Sequence, residues 1–244
     1  MKILDFEQGT KEWHDARRCR ITGTKLKAVM GTPEARRGLI AELIGEEGTE
    51  QGKLAPTTME MERGTAEEAF AIRTFTERTG KNVQSVGLCV HDEYDWLALS
   101  PDGVIFDERI KTQGGSVGIF EAVEVKSPDS KKAILYRIEN MIEPEETGLM
   151  GKKGDLLAGA PFLGIPSEYK WQVVHYFIVN TDLQKLHFCV YDARFIDEDM
   201  KLYVVTVERS NELLQEAIAE AMEALLAFRE TWMRWKEIVL PAKF

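Results

Sequence analysis

The chain has 244 residues, of which 44% are hydrophobic and 30% charged, and its formal net charge is −10. This composition is typical of a globular protein. It contains no apolar run of the roughly 18 to 20 residues that a membrane span needs, and its first residues become charged too early for a signal peptide. The three cysteines lie far apart, which excludes a disulfide framework. We therefore expect a cytoplasmic protein with no membrane partner and a single domain over residues 1–244.

The negative net charge is unusual for a protein that binds nucleic acid, but the charge is unevenly distributed. Residues 11–37 contain eight Lys or Arg and three acids, whereas acidic residues dominate elsewhere. A polyanion would therefore bind in a local basic groove and not over the whole surface. A solvated charged face is the alternative explanation for the same cluster.

The first part of the chain is predicted to be helical. Thr10 is a candidate N-cap for a helix over 10–18, and Thr22 for a second helix that ends at Gly31. Helical character continues over 32–46, and a loop follows over 45–56. A long helix is predicted over 60–80, with its apolar positions mainly on one face: Ala66, Ala69, Phe70, Ile72 and Phe75.

The second part alternates strands and helices. Strands are predicted over 83–91, 96–99, 104–106, 119–126, 186–190 and 202–207, with a glycine-rich hairpin turn over 113–118. Helices are predicted over 131–142, from an N-cap at Ser167 to about 179, and from about 211 to 235; the rest of 127–168 is irregular. The order predicts an α/β fold with one mixed central sheet flanked by helices.

The predicted hairpin carries two acids and a base in a suggestive arrangement. Asp102 precedes the first strand, and Glu124 and Lys126 lie on the second. Residues two apart on a strand share a face, so Glu124 and Lys126 are expected to point the same way. Asp102 is expected to lie opposite them on the adjoining strand. A divalent cation such as Mg²⁺ or Mn²⁺ would offset the cost of burying these charges and would suit phosphodiester hydrolysis. On the pattern alone, a solvated surface hairpin is the commoner explanation.

Further motifs occur in a fixed order around the hairpin. They are Trp-His-Asp-Ala-Arg at 13–17, Ile-Thr-Gly-Thr at 21–24, Gly-Thr-Ala-Glu-Glu at 64–68, Ser-Pro-Asp-Gly at 100–103, Glu-Val-Lys at 124–126 and Tyr-Lys-Trp-Gln at 169–172. With them the chain resembles the phage lambda exonuclease and YqaJ-type viral recombinase family, over about residues 6–210. That family has the PD-(D/E)XK, restriction-endonuclease-like core.

The resemblance implies catalytic roles for five residues. Asp102 and Glu124 would bind the metal, together with the backbone carbonyl of Val125. Glu68 would lie near the metal, and Lys126 would activate the attacking water.

The resemblance also implies a pocket for a terminal 5′-phosphate. Arg17 would grip the phosphate, with Thr24, Ser100 and Gln172 around it. A guanidinium fork suits a phosphate better than an ammonium does, which agrees with this role.

The implied activity is a Mg²⁺-dependent 5′-to-3′ exonuclease on double-stranded DNA ends, with two metal ions and Mn²⁺ as a substitute. Such an enzyme releases 5′-mononucleotides and leaves 3′ single-stranded tails for phage-type recombination. The implied partners are duplex DNA with a 5′-phosphorylated end, further copies of the chain in a homotrimeric ring, and a single-strand annealing protein in the bacterial host.

Alternatives remain for individual residues and for the function. Glu67 is an alternative to Glu68 as the acid near the metal, and Arg18 is an alternative to Arg17 at the phosphate. Arg17 could instead form an ion pair with Glu12 or Asp15. Ser100 could have a role only in its turn, and Gln172 could be a surface amide of its helix. Trp171 and Tyr176 are expected to be core or rim residues. The chain departs from the family pattern in a longer hairpin between Asp102 and Glu124 and in a longer, more acidic segment before Gln172. Val174 also replaces a second glutamine. The alternative functions are a catalytically silent DNA-binding or scaffold protein and a restriction-type endonuclease.

Overall fold

The computed structural model describes residues 1–48, 59–111, 117–142, 144–147 and 160–240. Side chains are described for these residues except 59–65, 108–111, 117 and 144–145. Most of the predicted loop over 45–56, most of the hairpin turn over 113–118 and a part of the irregular 127–168 segment lie outside the described residues.

Nine helices and seven strands occur in the described part of the chain. In order they are β1 (Lys2–Leu4), α1 (Lys11–Arg17), α2 (Gly23–Val29), α3 (Pro33–Gly48), α4 (Met59–Thr79), β2 (Leu88–Val90), β3 (Ala98–Leu99), β4 (Gly103–Lys111), β5 (Val117–Lys126), α5 (Ser130–Met141), α6 (Pro144–Thr147), α7 (Lys170–Val179), β6 (Lys185–Tyr191), α8 (Glu198–Lys201), β7 (Leu202–Glu208) and α9 (Glu212–Val239).

The main sheet has four strands in the order β4-β5-β6-β7 and is mixed. The pairs β4–β5 and β6–β7 are antiparallel, and β5–β6 is parallel, so the chain crosses over between β5 and β6 through α5, α6 and α7. Gly103 pairs with Val123. Extending this register by one residue places Asp102 opposite Glu124, as the hairpin pattern predicts.

A second sheet contains β1, β2 and β3, all antiparallel. This second sheet was not predicted. The three-residue β1 is too short to show strand periodicity, and β2 and β3, which lie within the predicted strands over 83–91 and 96–99, pair with β1 and with each other instead of joining the main sheet. A Cβ at Gly87 would collide with the carbonyl oxygens of Leu4 and Phe6, so the approach of β1 requires glycine there. This sheet matters for function because β3 leads directly into Ser100.

Helices cover both faces of the main sheet. Ala122 belongs to one cluster of buried apolar side chains with α2, α3, α7 and α9, and Val123 and Val125 belong to another with Ala71 and Phe75 of α4. Because side chains alternate along β5, Glu124 and Lys126 face the α7 layer.

Two helix predictions were wrong in detail. Phe70 is 52% exposed and Ala66 and Ala69 are exposed, whereas Ala71 and Phe75 are buried against the sheet. The apolar pattern of α4 was ambiguous because alanines occur around most of its circumference.

The predicted N-cap at Ser167 was also wrong. Ser167 begins a 3-10 turn that ends at Tyr169, and α7 begins only at Lys170. The predicted cap at Thr10 is confirmed, since its side chain accepts a hydrogen bond from the backbone N–H of Trp13. Thr22 occupies the predicted N-cap position of α2, but its side chain makes no capping hydrogen bond. Asn211, at the predicted start of α9, caps that helix through hydrogen bonds from two backbone N–H groups. Among the described helices, none is long and apolar enough to cross a membrane.

Candidate active site

Glu124 is the centre of a buried polar cluster between β5 and α7. Its side chain is only 3% exposed. One carboxylate oxygen, Oε1, accepts hydrogen bonds from Lys126 Nζ and, at 2.5 Å, from Gln172 Nε2. The other, Oε2, accepts from the hydroxyl of Tyr176. A buried charge requires such donors, so these three residues hold the carboxylate in one orientation.

Asp102 lies beside this cluster at the start of β4. Its Oδ2 accepts a hydrogen bond of 2.7 Å from the backbone N–H of Val125. Burial and the neighbouring carboxylates of Glu124 and Glu68 raise the pKa of Asp102 well above its ordinary value. The structure therefore brings the three predicted acids close enough to repel one another.

Glu68 joins the cluster from α4. Burial raises the pKa of Glu68, and the carboxylate of Glu124 raises it further. Glu68 precedes Ala71 by three residues and Phe75 by seven, so it lies on the helix face that packs against the sheet. Glu67 instead lies near the guanidinium of Arg194.

Lys126 lies between the acids and an aromatic ring. Its ammonium is 5.2 Å from the ring centroid of Tyr169, in addition to its contact with Glu124. Burial alone would lower the pKa of Lys126, but the carboxylates of Glu124 and Asp102 outweigh burial, and the pKa is raised. The ammonium is therefore charged in this arrangement and balances part of the acidic cluster.

Arg17 and Ser100 meet at a second polar site. Arg17 Nη1 donates a 2.8 Å hydrogen bond to Ser100 Oγ, and its guanidinium lies 4.2 Å from the ring centroid of Trp13. Burial lowers the pKa of Arg17, but an arginine remains charged in proteins. Arg18, the alternative candidate, donates to the backbone carbonyl of Glu46 on α3.

Gln172 connects α7 with β5, because its side-chain amide donates to Glu124. The role around the terminal phosphate that the family resemblance implies for Gln172 stays a prediction. A Cβ at Gly23 would lie 3.0 Å from Gln172 Cγ, so α2 and α7 pack closely. Thr24 is exposed in the first turn of α2, next to this contact.

Tyr176 was expected to be only a core or rim residue, and its contact with Glu124 was missed. Tyr176 is fully buried, and burial followed by the charges of Glu124 and Asp102 raises its pKa well above the ordinary value, so its hydroxyl stays protonated and donates. One signal in the sequence could have found it. Tyr176 follows Gln172 by four residues and therefore lies on the same helix face.

The acidic cluster has the chemistry of a site for a hard divalent cation. Carboxylate oxygens are the ligands that Mg²⁺ prefers, and a cation would relieve the repulsion that raises the pKa of Asp102 and Glu68. Within the described ranges, no group of three or more His, Cys, Asp or Glu side chains is arranged to hold a metal ion. The ammonium of Lys126 contacts Glu124 Oε1, an oxygen that a bound metal would also use.

The order of the motifs and the geometry of the cluster agree with a comparison against protein-family models. The model of the YqaJ-like viral recombinase domain matches residues 12–184. The chain belongs to this family. The matched region includes Arg17, Glu68, Asp102, Glu124 and Lys126, so it contains every charged residue of the candidate site.

Solved structures of exonucleases share the fold. An alkaline exonuclease from Laribacter hongkongensis, LHK-Exo, is 26% identical, with a TM-score of 0.67 over 94% of this chain and 96% of that one. Its complex with dAMP is 25% identical, with a TM-score of 0.63 over 94% and 98%. A phage-related exonuclease from Haemophilus somnus is 12% identical, with a TM-score of 0.55 over 88% and 95%, and shows the fold alone.

The predicted family and the predicted PD-(D/E)XK-type α/β fold are thus confirmed, and the similarity to alkaline exonucleases supports the predicted enzyme class. No curated protein matches the sequence significantly.

Proposed function

We propose that the protein is a metal-dependent exonuclease that degrades the 5′-ended strand of duplex DNA, releases 5′-mononucleotides and leaves 3′ single-stranded tails. The observation that carries the proposal is the convergence of Glu68, Asp102, Glu124 and Lys126 at the start of β4 and the end of β5. A silent relative of the same fold would need none of these side chains.

The three carboxylates would hold one or two Mg²⁺ ions, with the backbone carbonyl of Val125 as a further ligand and Mn²⁺ as a substitute. When bound, such ions polarise the phosphate and stabilise the developing negative charge. The chain's own residues supply the rest. Gln172 and Tyr176 fix the orientation of Glu124, and Lys126 positions the attacking water once its ammonium leaves Glu124.

Arg17 and Ser100 are proposed to bind the terminal 5′-phosphate, with Thr24 at the edge of the same site. A partly buried guanidinium that already contacts a hydroxyl is preorganised to accept a dianion. Gln172 is proposed to act mainly on Glu124 because that is where its amide lies. The binding of dAMP by LHK-Exo supports a 5′-mononucleotide as the product.

The remaining parts of the proposal rest on family resemblance: a single nuclease domain over 1–244, a homotrimeric ring, a single-strand annealing protein as partner and action in the cytoplasm of a bacterial host.

The substrate requirement can be tested with three DNA molecules. Linear duplex with 5′-phosphate, linear duplex with 5′-hydroxyl and closed circular duplex are incubated with Mg²⁺, and acid-soluble nucleotides are measured. We expect rapid release from phosphorylated ends, slower release from hydroxyl ends and none from circles. Cutting of circles would contradict the exonuclease assignment, and no cutting of any substrate would favour a silent protein.

The phosphate assignment is tested in the same assay with Arg17→Ala. We expect the preference for phosphorylated over hydroxyl ends to disappear. Arg37→Ala is the matched control, because Arg37 is an exposed arginine in the same basic segment, paired with Glu34 at 3.1 Å. An unchanged preference in Arg17→Ala would remove Arg17 from the site.

A further inference from the structure

A second cationic cavity lies beside the Arg17–Ser100 site and has no role in the proposed chemistry. Its volume is about 310 Å³. It lies between the segment that follows α1, the segment that precedes β3, and the C-terminal half of α9. Four of its lining residues are cations, namely Arg18, Arg20, Arg229 and Lys236, and two are acids, Glu47 and Asp95. Lys236 forms an ion pair of 2.5 Å with Glu47, so the three arginines carry most of the excess positive charge. Cations therefore dominate this cavity in a chain whose net charge is −10.

The arginines are held in place by backbone groups. Arg20 Nε donates a 2.8 Å hydrogen bond to the carbonyl of Asp95, and Arg20 Nη1 donates to the carbonyl of Ala16. Arg18 donates to the carbonyl of Glu46. Carbonyl acceptors position a guanidinium without cancelling its charge, and each guanidinium has five N–H donors. The cavity is thus lined by cations that are fixed before any ligand arrives.

Arg229 contributes a desolvated charge from α9. Its guanidinium lies 4.3 Å from the ring centroid of Trp232 and 5.5 Å from that of Trp96. Burial lowers the pKa of Arg229, and the acids Asp95 and Glu47 only partly oppose this effect. A cation that has lost water gains more from an anionic ligand than an exposed one does.

Two tryptophans, Trp96 and Trp232, form the apolar wall of the cavity, and they are 8% and 1% exposed. Trp96 and Trp232 are too buried for a base to stack on them, so the cavity suits the phosphate group alone.

The position of the cavity links it to the path of a DNA strand. The two chain segments that meet at Arg17 and Ser100 also meet at Arg20 and Asp95, and Ile21, the residue after Arg20, pairs with Leu97. The terminal-phosphate site and the cavity are therefore two points along one seam of the molecule.

We propose that this cavity is a second phosphate site, which holds a backbone phosphate of the DNA whose 5′ end lies at Arg17. The inference rests on the proposed function for the identity of the ligand. A second anchor is useful to this protein because its overall charge repels DNA, and a local cationic site offsets that repulsion.

Binding of DNA without catalysis tests the proposal. A 5′-phosphorylated duplex with a fluorescent label is titrated in metal-free buffer over a series of salt concentrations, with the wild type, Arg229→Gln and Lys236→Gln. Each phosphate contact contributes about 0.9 to the slope of log Kd against log salt. We expect Arg229→Gln to lower the slope by about that amount and to weaken binding at low salt. Lys236→Gln gives a second variant if Arg229→Gln is poorly folded.

Arg234→Gln is the matched control, since Arg234 is an exposed arginine on the same helix and does not line the cavity. It should leave the slope unchanged. An equal loss in Arg229→Gln and Arg234→Gln would indicate a general charge effect and would overturn the site. Because no cutting is measured, a wild type that binds DNA with the expected slope but does not cut it would contradict only the proposed function.

A second titration separates DNA from free phosphate. Inorganic phosphate is added while tryptophan fluorescence is followed, since Trp96 and Trp232 line the cavity. The proposal is supported if phosphate quenches the fluorescence of the wild type but not of Arg229→Gln, and if Arg229→Gln also lowers the slope of log Kd for DNA against log salt. Quenching by phosphate without a change in DNA slope would overturn the DNA assignment, and absence of both effects would overturn the site.

Discussion

At the scale of single residues, the orientation of Glu124 depends on side chains from two elements. Lys126 comes from the same strand, and Gln172 and Tyr176 come from α7. Of these, Lys126 must leave the carboxylate if a metal takes its place, whereas the hydroxyl of Tyr176 reaches the other oxygen and can remain. Partners of this kind set the geometry and basicity of a metal ligand.

Replacement of Tyr176 by Phe removes the hydroxyl and keeps the buried ring. We expect Mn²⁺ binding and the rate of DNA degradation to fall by about 10- to 100-fold, because Glu124 loses a fixed orientation. Titration calorimetry with Mn²⁺ and the nucleotide-release assay measure the two effects. Tyr203→Phe is the control, because Tyr203 is a partly buried tyrosine on β7 that lies beside Arg137 of α5. Wild-type metal affinity in Tyr176→Phe would refute the positioning role.

His175, the neighbour of Tyr176, is expected to make the stability of the fold depend on pH. It is fully buried, and its Nε2 lies 2.8 Å from the carbonyl oxygen of Ala98, so this nitrogen carries the proton. Burial lowers its pKa from 6.5 to about 4, and proximity to His91 also lowers it. The imidazole is therefore neutral in the folded protein at physiological pH.

This shift makes stability depend on pH. Between the pKa of the unfolded chain, 6.5, and that of the folded protein, about 4, only the unfolded chain binds the extra proton. The neutral, buried imidazole of His175 contributes about 3 kcal/mol to the free energy of unfolding above pH 6.5, and this contribution is lost as the pH falls toward 4.

Urea unfolding at several pH values measures this effect. The free energy of unfolding of His175→Gln should fall less steeply than that of the wild type as the pH is lowered, because the glutamine amide keeps a donor for Ala98 but does not titrate. Carboxylate titration is common to both proteins and cancels in the difference. Parallel pH profiles for the two proteins would contradict this account.

At the scale of elements, the position of α2 against α7 controls Gln172. The absence of a side chain at Gly23 allows the two helices to approach, and the Gln172 side chain passes through this contact to reach Glu124. Close packing of this kind leaves little room for adjustment.

Gly23→Ala should therefore displace Gln172 and lower the rate of degradation by about 10-fold. In the background of Gln172→Ala, Gly23→Ala should have little further effect, because both substitutions remove the same contact, that between Gln172 and Glu124. Gly38→Ala is the control, since nothing lies within 4 Å of its added Cβ in α3. Additive losses in the double variant would show that Gly23 acts by another route.

The elements also show which features the sequence could predict. The cap at Thr10, the start of α9 near residue 211 and the hairpin depend on residues close in the chain, so local patterns were sufficient. The pairing of β1 with β2, the buried face of α4 and the contact of Tyr176 with Glu124 depend on residues far apart in the chain. Only the ordered motifs of the family carried long-range information. They pointed to the acids, Lys126 and Gln172, but not to Tyr176, the third residue that contacts Glu124.

At the scale of the whole molecule, a net charge of −10 must be reconciled with a DNA substrate. We propose that DNA contacts the basic residues at the end of α1 and in the segment after it, where Arg17 and Arg20 are fixed by hydrogen bonds. The acidic residues at the active site are a second source of repulsion, and metal binding would neutralise them. DNA affinity is therefore expected to rise when a divalent cation is present.

The central claim is that the acidic cluster around Glu124 is the catalytic centre of an exonuclease. It is tested most directly by the rate of mononucleotide release from 5′-phosphorylated linear duplex in Mg²⁺, for the wild type, Glu124→Gln and Glu67→Gln. Glu67 lies next to Glu68 in the chain but near Arg194, so it is the matched acidic control. We predict that Glu124→Gln lowers the rate by more than about 100-fold, since even outer partners of a metal ligand contribute about 10- to 100-fold, and that Glu67→Gln retains activity. A fully active Glu124→Gln protein would contradict the account.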